Sequence, residues 1–414
     1  MVNGTIMHIN KGIYAHMAKQ KVVIVGGGFG GVKAALSLAN DERFLVTLVS
    51  DKKYFEYHPT LYHTATGGLL SQSQIPLATI FANKPVKLVI DKAVKLDRKK
   101  HELTTASGKT LVYDNIILGL GTVTNYFGIK GLEEYSYGIK SIEDVLAFKR
   151  HIHQQLIDKR KPDMHYVIVG AGPTGVELAG ALPSYLYRIM KNHGIRDRSV
   201  RVHLVEGAPR VLPNMPKTTS RAVRRRLRHL GVQLHLGKPV EGATAEGLTV
   251  GGKSIRSNTI VWTAGTANNP FFSENGFVFG PRGKVAVNVY LQADDNVYVI
   301  GDNANTPYSG MAQTAVLDGD FVAENLKRQL DGKELKPYKP KRPIYVTPVG
   351  YGWAAAVWGK LEFFGTIGWL LRKAADAKAF GELQSPMEAA KQWFTEFGEQ
   401  EDCQVCVHAL TALK

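Results

Sequence analysis

Cysteine is nearly absent. The 414 residues contain two, Cys403 and Cys406, both close to the carboxyl terminus. So few thiols exclude a fold built on disulfides and fit a reducing compartment. Long apolar runs are also missing: no stretch is both uncharged and apolar over the roughly 18 residues that a membrane-spanning helix needs. Residues 1–20 hold no apolar core of signal-peptide length. Acid is scarce relative to base, with 36 Asp+Glu against 52 Lys+Arg and a net charge of +16. That balance favours an anionic partner. No nucleic-acid-binding motif is recognisable, so nucleic acid is set aside and an anionic membrane surface is the favoured partner. Metal-ligand clusters are wanting as well. His58 and His63 stand five apart without further ligands, so they read as hydrogen-bonding residues of a packed loop and no metal is expected.

Ordinary globular composition fills the rest. A hydrophobic content of 44% and this length leave room for two or three domains. The central stretch is Tyr166-Val167-Ile168-Val169-Gly170-Ala171-Gly172-Pro173-Thr174-Gly175-Val176-Glu177. A β-branched run leads into G-x-G-x-x-G and then a helix-forming segment, the pattern of a strand, a tight turn and a helix N-terminus built for a pyrophosphate. Gly170 makes the turn, Gly172 admits the phosphates, and Gly175 packs helix on strand. A second such loop, Gly26-Gly27-Gly28-Phe29-Gly30-Gly31, follows Val22-Val23-Ile24-Val25. Two dinucleotide loops in one chain imply two dinucleotides, with electron transfer as the natural chemistry between them.

Along the chain, residues 1–20 read as a disordered leader, and Met17 would make a natural start just before the first strand. The strand Val46–Val49 ends in Ser50-Asp51, where such folds place an acid that bonds an adenosine ribose. Either Ser50 makes that bond or Asp51 reaches back to it. Tyr113 to Gly121 reads as a buried strand ending in glycines that allow close approach. The strand Val202–Val205 ends in Glu206, which duplicates the first unit, although the interval from the glycines exceeds the usual ~20 residues. Residues 217–230 form a basic helix with Val223, Leu227 and Leu230 on one face, and its arginines read as a solvated surface. Trp262-Thr263-Ala264-Gly265 and Val297-Tyr298-Val299-Ile300-Gly301-Asp302 give two further strand ends, and Ala312-Gln313 opens a helix aimed at the latter. A Pro- and Lys-rich linker spans 336–343. Beyond it, Phe363, Phe364, Ile367, Trp369, Leu370 and Leu371 crowd between basic residues, and Ser385-Pro386-Met387-Glu388 announces a helix. These tail segments read as helices that either cover the core or lie in a membrane interface, with the second favoured.

In this order and spacing, the two glycine loops, Leu61–Gly67, Val205–Pro213, Trp262–Gly265 and Gly301-Asp302 resemble the two-dinucleotide flavoprotein superfamily over residues 21–375. Within it the chain is similar to the type II NADH:quinone oxidoreductases. The resemblance implies an α/β fold with two Rossmann-like domains and a C-terminal helical, membrane-associating region. Residues 21–128 and 276–335 would bind FAD, 129–275 NAD, and 336–414 would be linker and membrane region. FAD would be held by Gly26, Gly28, Phe29, Gly30, Gly31, Ser50 or Asp51, Thr66, Gly121, Gly301, Asp302, Ala312 and Gln313. NADH would be held by Gly170, Gly172, Pro173, Thr174, Gly175, Glu177, Glu206, Ala264 and Gly265. Glu177 and Gln313 are the candidates for positioning and proton handling. Leu317 and Asp318 stand where the family's quinone-side helix often carries two glutamines.

The implied activity transfers hydride from NADH to FAD and two electrons onward to a membrane quinone, from a peripheral position on the cytoplasmic face. A homodimer is left open. Thiol–disulfide and sulfide:quinone branches are disfavoured, because their chemistry needs cysteines that are absent before residue 403. The alternatives are a soluble reductase of a small electron-carrier protein and a flavin-bound interaction protein of the apoptosis-inducing-factor type. At Glu206 a carboxylate would accept the ribose hydroxyls and repel a 2′-phosphate, favouring NADH over NADPH, with Arg210 and Arg221 near enough in sequence to soften the repulsion.

Overall fold

The computed structural model describes residues 18–158, 163–195, 199–384 and 387–390. The leader up to residue 17, the cap Ser385-Pro386 and the two cysteines therefore lie outside the described residues. The chain begins with strand β1 (Gln20–Val25), helix α1 (Phe29–Ala39) and strand β2 (Phe44–Ser50). Strands β3 (Val86–Ile90) and β4 (Asn115–Leu118) flank a three-stranded meander over 93–112. Next come β5 (His165–Val169), helix α2 (Pro173–Asn192), β6 (Arg201–Glu206), helix α3 (Lys217–His229), β7 (Gln233–Leu236) and β8 (Thr259–Trp262). The chain continues through β9 (Gln292–Asp294), β10 (Val297–Val299) and helix α4 (Ala312–Leu330). It then forms strands β11 (Tyr345–Pro348), β12 (Ala354–Trp358) and β13 (Leu361–Gly365), followed by helix α5 (Thr366–Leu383).

Two compact units result. One contains residues up to 55 with 76–123 and 268–343; the other contains 56–75, 124–267 and the chain from 344. In the first, the sheet order is β9-β10-β4-β1-β2-β3, parallel except at the β9–β10 edge. In the second, the order is β7-β6-β5-β8, all parallel. The four strands β3-β2-β1-β4 and β7-β6-β5-β8 repeat one topology, so the duplication expected from sequence is real at the level of the sheet. Val22 to Val25 and Tyr166 to Val169 are all buried, as continuous apolar strands in parallel sheets must be when both faces are covered. Each fully buried Val or Ile contributes about 1.5–3 kcal/mol of transfer free energy.

The division of the chain differs from the sequence expectation in two places. Residues 56–75, expected with the first dinucleotide domain, cluster with the second unit. The chain from 344 also belongs to that unit instead of standing apart. Phe363 and Phe364, read as helical, lie on β13 in an antiparallel β11-β12-β13 sheet, and only 366–383 form the expected helix. The tail helix buries Gly368, Arg372, Asp376 and Phe380. A β-carbon on Gly368 would lie 2.2 Å from the Ala354 carbonyl oxygen, which measures how closely α5 seats on β12. Helix α3 behaves as its pattern indicated, with Val223 and Leu227 buried and Arg221, Arg224, Arg225 and Arg228 exposed.

Three histidines cross the second sheet on neighbouring strands. His165 Nδ1 lies 2.8 Å from His203 Nε2, and His203 Nδ1 lies 3.0 Å from His235 Nε2. A neutral imidazole offers one donor and one acceptor, so an uncharged His203 satisfies both neighbours. Protonation would make it a donor at both nitrogens and add charge beside Arg201. Burial, reinforced by the neighbouring histidines, pulls its pKa down to about 4. The neutral form therefore contributes stability that is complete above the ordinary value of 6.5 and is lost as pH falls through about 4. His203→Gln should flatten this acid limb by about one proton in urea midpoints measured from pH 7 to pH 4. An unchanged slope would show that other groups control it.

Candidate functional site

In the first unit, Gly26 closes β1 with φ +111°. A β-carbon on Gly31 would stand 1.9 Å from the Gly26 carbonyl oxygen, so α1 can start this close to its strand only without a side chain there. Gly28, the N-cap of α1, has no side-chain cap, no acid follows in the first turn, and its open side meets nothing within 4 Å. An uncapped helix N-terminus with free space over the capping glycine suits a pyrophosphate. Phe29 packs edge-on against Phe55 with centroids 4.8 Å apart. Ser50 is buried against this loop, its hydroxyl accepting from the Lys52 amide at 3.2 Å, whereas Asp51 is exposed.

The Gly301 turn completes this side. Gly121 and Asn303 exchange two hydrogen bonds, the Gly121 amide donating at 2.8 Å and Asn303 Nδ2 donating back at 2.7 Å. Asp302 Oδ1 accepts from the Gly310 amide at 3.0 Å. Ala312 and Gln313 open α4, where Gln313 is exposed and no side chain caps the helix. Asp318, which stands at one of the family's glutamine positions, is buried and accepts from the Gly301 amide at 2.9 Å and from the Tyr338 hydroxyl. Burial raises its carboxyl to about 6. It supports the turn from beneath. Asn303, Asp318 and Tyr338 carried no sequence signal for this role, because pairs 182 and 20 residues apart follow no local period.

The second unit repeats the cradle. Gly170 has φ +102°, and a β-carbon there would meet Ala264 Cα at 2.8 Å. A β-carbon on Gly175 would stand 1.9 Å from the Gly170 carbonyl oxygen. Gly172 caps α2 with nothing within 4 Å, and Pro173 occupies the first helical position, where a missing N–H costs nothing. Thr174 and Ala264 are exposed, while Gly265 sits against the Asn125 carbonyl. Glu206 is held on both oxygens: Oε2 accepts from the Ala171 amide at 2.7 Å and Oε1 from the Ala208 amide at 2.8 Å. The carboxylate is thereby fixed beside the glycine turn. Arg210 bonds the carbonyls of Pro213 and Met215, and Arg221 Nε bonds the Lys217 carbonyl at 3.3 Å. Neither arginine is bonded to Glu206.

Thr66 lies in this second unit, its hydroxyl donating to the Tyr62 carbonyl at 2.9 Å and its carbonyl accepting from Arg188 at 3.3 Å. Nearby, burial lowers His63 to about 4, and its Nδ1 meets Gln72 Oε1 at 3.0 Å. The described residues contain no group of three or more metal ligands.

Glu177 is buried on α2, with Arg372 Nη1 3.5 Å away. Arg372 Nε donates to Asp376 Oδ2 at 2.7 Å, a second nitrogen donates to the Pro59 carbonyl, and the Tyr57 hydroxyl donates to Asp376 Oδ1 at 2.6 Å. Desolvation dominates and drives the Glu177 carboxyl up to about 8; Arg372 opposes the rise and Asp376 adds to it. Among its neighbours, Arg372, Asp376 and Tyr57 were invisible to sequence reading. Tyr57 lies more than 300 residues from the other two, and an arginine and an aspartate four apart on a helix carry no sign of burial in their spacing. A carboxyl raised in the fold contributes stability that is complete below its ordinary value of 4.5 and lost as pH rises through about 8. Glu177→Gln should therefore match wild type near pH 5 and be the more stable protein by pH 9, read from urea unfolding. A gap between the two that does not change with pH would contradict the raised pKa.

The sequence matches the family model for pyridine nucleotide-disulphide oxidoreductases over residues 20–319. Similar curated proteins include the type II NADH:quinone oxidoreductases of Staphylococcus saprophyticus and Staphylococcus aureus. Each is 26% identical over 345 residues, covering 78% of this chain and 85% of theirs. Among solved structures, NDH2 from Plasmodium falciparum in complex with NADH superposes with a TM-score of 0.81 at 16% identity, covering 92% of this chain and 97% of that one. The sulfide:quinone oxidoreductase of Aquifex aeolicus gives 0.72 at 20% identity, covering 86% and 89%. These structural likenesses establish the fold. The family pattern runs from the first strand into the helix behind the Gly301 turn, and the chain belongs to the pyridine nucleotide-disulphide oxidoreductase family.

Proposed function

We propose that the protein is a FAD-dependent NADH dehydrogenase that reduces a membrane quinone: NADH, a proton and quinone give NAD+ and quinol, without proton pumping. The observation that carries the reading is the duplicated cradle, each helix starting at an uncapped glycine with open space above it, the second beside a carboxylate fixed by two amides. The names of the similar staphylococcal proteins support the quinone as acceptor.

When bound, FAD supplies a hydride acceptor that can hand electrons onward. The chain supplies the rest. The α1 N-terminus and the Gly28 opening would receive the FAD pyrophosphate, with Ser50 nearer the loop than Asp51 and the Gly301-Asp302 turn closing the site. The α2 N-terminus would receive the NADH pyrophosphate, and Glu206 would accept the ribose hydroxyls. Glu177, with its pKa near 8, holds a proton on its carboxyl at neutral pH and can release it to a basic product. Gln313 stands at the mouth of α4 as a positioning group.

A peripheral membrane position, at the cytoplasmic face, accompanies the quinone. No helix among the described residues is long and apolar enough to cross a bilayer. Exposed Trp358, Leu361, Ile367 and Leu370 give the tail an apolar surface. Removing the tail would not be a clean test of the anchor, because residues 344–383 carry part of the second unit's core.

The purified protein should be yellow, bleach with NADH in the absence of oxygen, and recover its colour with a short-chain quinone. Colourless protein that takes up no FAD would overturn the scheme, and bleaching without recovery would exclude the quinone in favour of a carrier protein. NADH should be preferred, since a 2′-phosphate would face Glu206 while Arg210 is occupied by backbone carbonyls. Glu206→Gln should raise the ratio of kcat/KM for NADPH over NADH by about tenfold or more, ~1.4 kcal/mol. The ratio is the informative quantity, because the amide also deprives one loop N–H of its acceptor and so weakens both cofactors. Equal use of NADPH and NADH by wild type would show that Glu206 does not read the ribose.

A further inference from the structure

Among the described residues, the basic face of α3 meets no acidic face. Arg221, Arg224, Arg225 and Arg228 are exposed along one stripe, opposite buried Thr219, Ser220, Val223 and Leu227. Among the described residues, Arg224, Arg225 and Arg228 have no carboxylate partner. The pairs 221–224, 221–225, 224–228 and 225–228 place like charges three or four residues apart, an arrangement that destabilises a helix in isolation. By contrast Arg226 turns inward and donates to the carbonyls of Val349 and Tyr351 at 3.2 and 3.4 Å.

The stripe adjoins an apolar tip. Glu362 on β13 accepts from the Thr218 hydroxyl at 2.6 Å and from the Thr219 hydroxyl, fastening the first turn of α3 to the β12–β13 hairpin. The hairpin turns at 359–360, flanked by Trp358, 55% exposed, and Leu361, 59% exposed, beside an exposed Lys360. A basic stripe on the helix to which this hairpin is fastened, together with an unburied Trp and Leu at the hairpin's end, suits a surface with phosphate outside and hydrocarbon beneath. A polyanion in water, such as nucleic acid, would leave the tip exposed.

We propose that the α3 stripe and the 358–361 tip together form the docking surface for an anionic lipid bilayer, the arginines meeting headgroup phosphates and Trp358 and Leu361 entering the interface. This rests on the peripheral-membrane reading above and names the surface responsible, including a helix of the second dinucleotide unit itself.

Flotation of the FAD-loaded full-length protein with phosphatidylcholine vesicles, with and without phosphatidylglycerol, tests it. Wild type should bind the anionic vesicles and release at high salt. The triple variant Arg224→Gln, Arg225→Gln, Arg228→Gln should bind them more weakly, by roughly fivefold per charge and about a hundredfold in total. Its NADH oxidation with a soluble acceptor should stay at the wild-type level, which shows that it has folded. Trp358→Ala with Leu361→Ala should weaken binding at every salt concentration. Unchanged vesicle binding by the triple variant overturns the proposal, as does a wild type that ignores anionic vesicles but binds duplex DNA through the same arginines. Retained quinone reduction in either case would leave the activity standing and only the docking surface wrong.

Discussion

Both strand–glycine–helix junctions depend on one steric constraint, the absence of a side chain where each helix turns back onto its own strand. At Gly31 and at Gly175 a β-carbon would stand 1.9 Å from the carbonyl oxygen of the first loop glycine, far inside contact distance. Only with that space empty can the helix begin directly above the strand end and point its N-terminal dipole at the loop. The rest of each unit keeps this junction rigid. Parallel neighbours hold the strand on both sides, and Gly319 lets α4 approach the Gly30 carbonyl in the first unit. The open side over Gly28 and Gly172, where a β-carbon would meet nothing within 4 Å, contrasts with that crowding.

A second constraint governs the neighbourhood of Glu177. Burying a carboxyl, a guanidinium and another carboxylate together is costly unless the donors and acceptors are used. Here Arg372 and Asp376 are in close contact, Tyr57 and the Pro59 carbonyl take up remaining capacity, and Glu177 stands slightly farther off at 3.5 Å. The geometry divides the labour. Arg372 is in close contact with Asp376 and farther from Glu177, whose carboxyl pKa is raised by burial. The tail helix α5 thus contributes to the core of the second unit on one face while Ile367 and Leu370 remain exposed on the other.

Histidine chemistry follows the same rule at lower stakes. His203 sits between two other imidazoles, and neutral rings can pass hydrogen bonds along the row without charge. Desolvation then keeps His203 uncharged, as it does for His63 beside Gln72. In each of these sites burial supplies the pKa shift and the hydrogen-bond partners decide which protonation state the geometry can use.

The sequence by itself determined the two strand–glycine–helix junctions, their order, and the acid at the end of β6. Each is local: the strand run, the turn and the helix start fall within a few residues, so the steric need is written consecutively. The duplication of the sheets was legible for the same reason. Tertiary structure alone decided which unit holds residues 56–75 and the tail, since the contacts of Tyr57 and Pro59 with α5 join segments more than 300 residues apart. It also decided that Phe363 and Phe364 belong to a strand, because pairing with β12 overrode the helical look of an aromatic cluster. The role of Asp318 was hidden likewise. Its residue type suggested a change at the substrate side, whereas its burial beneath Gly301 makes it a support for the turn, and burial depends on neighbours that no local period reveals.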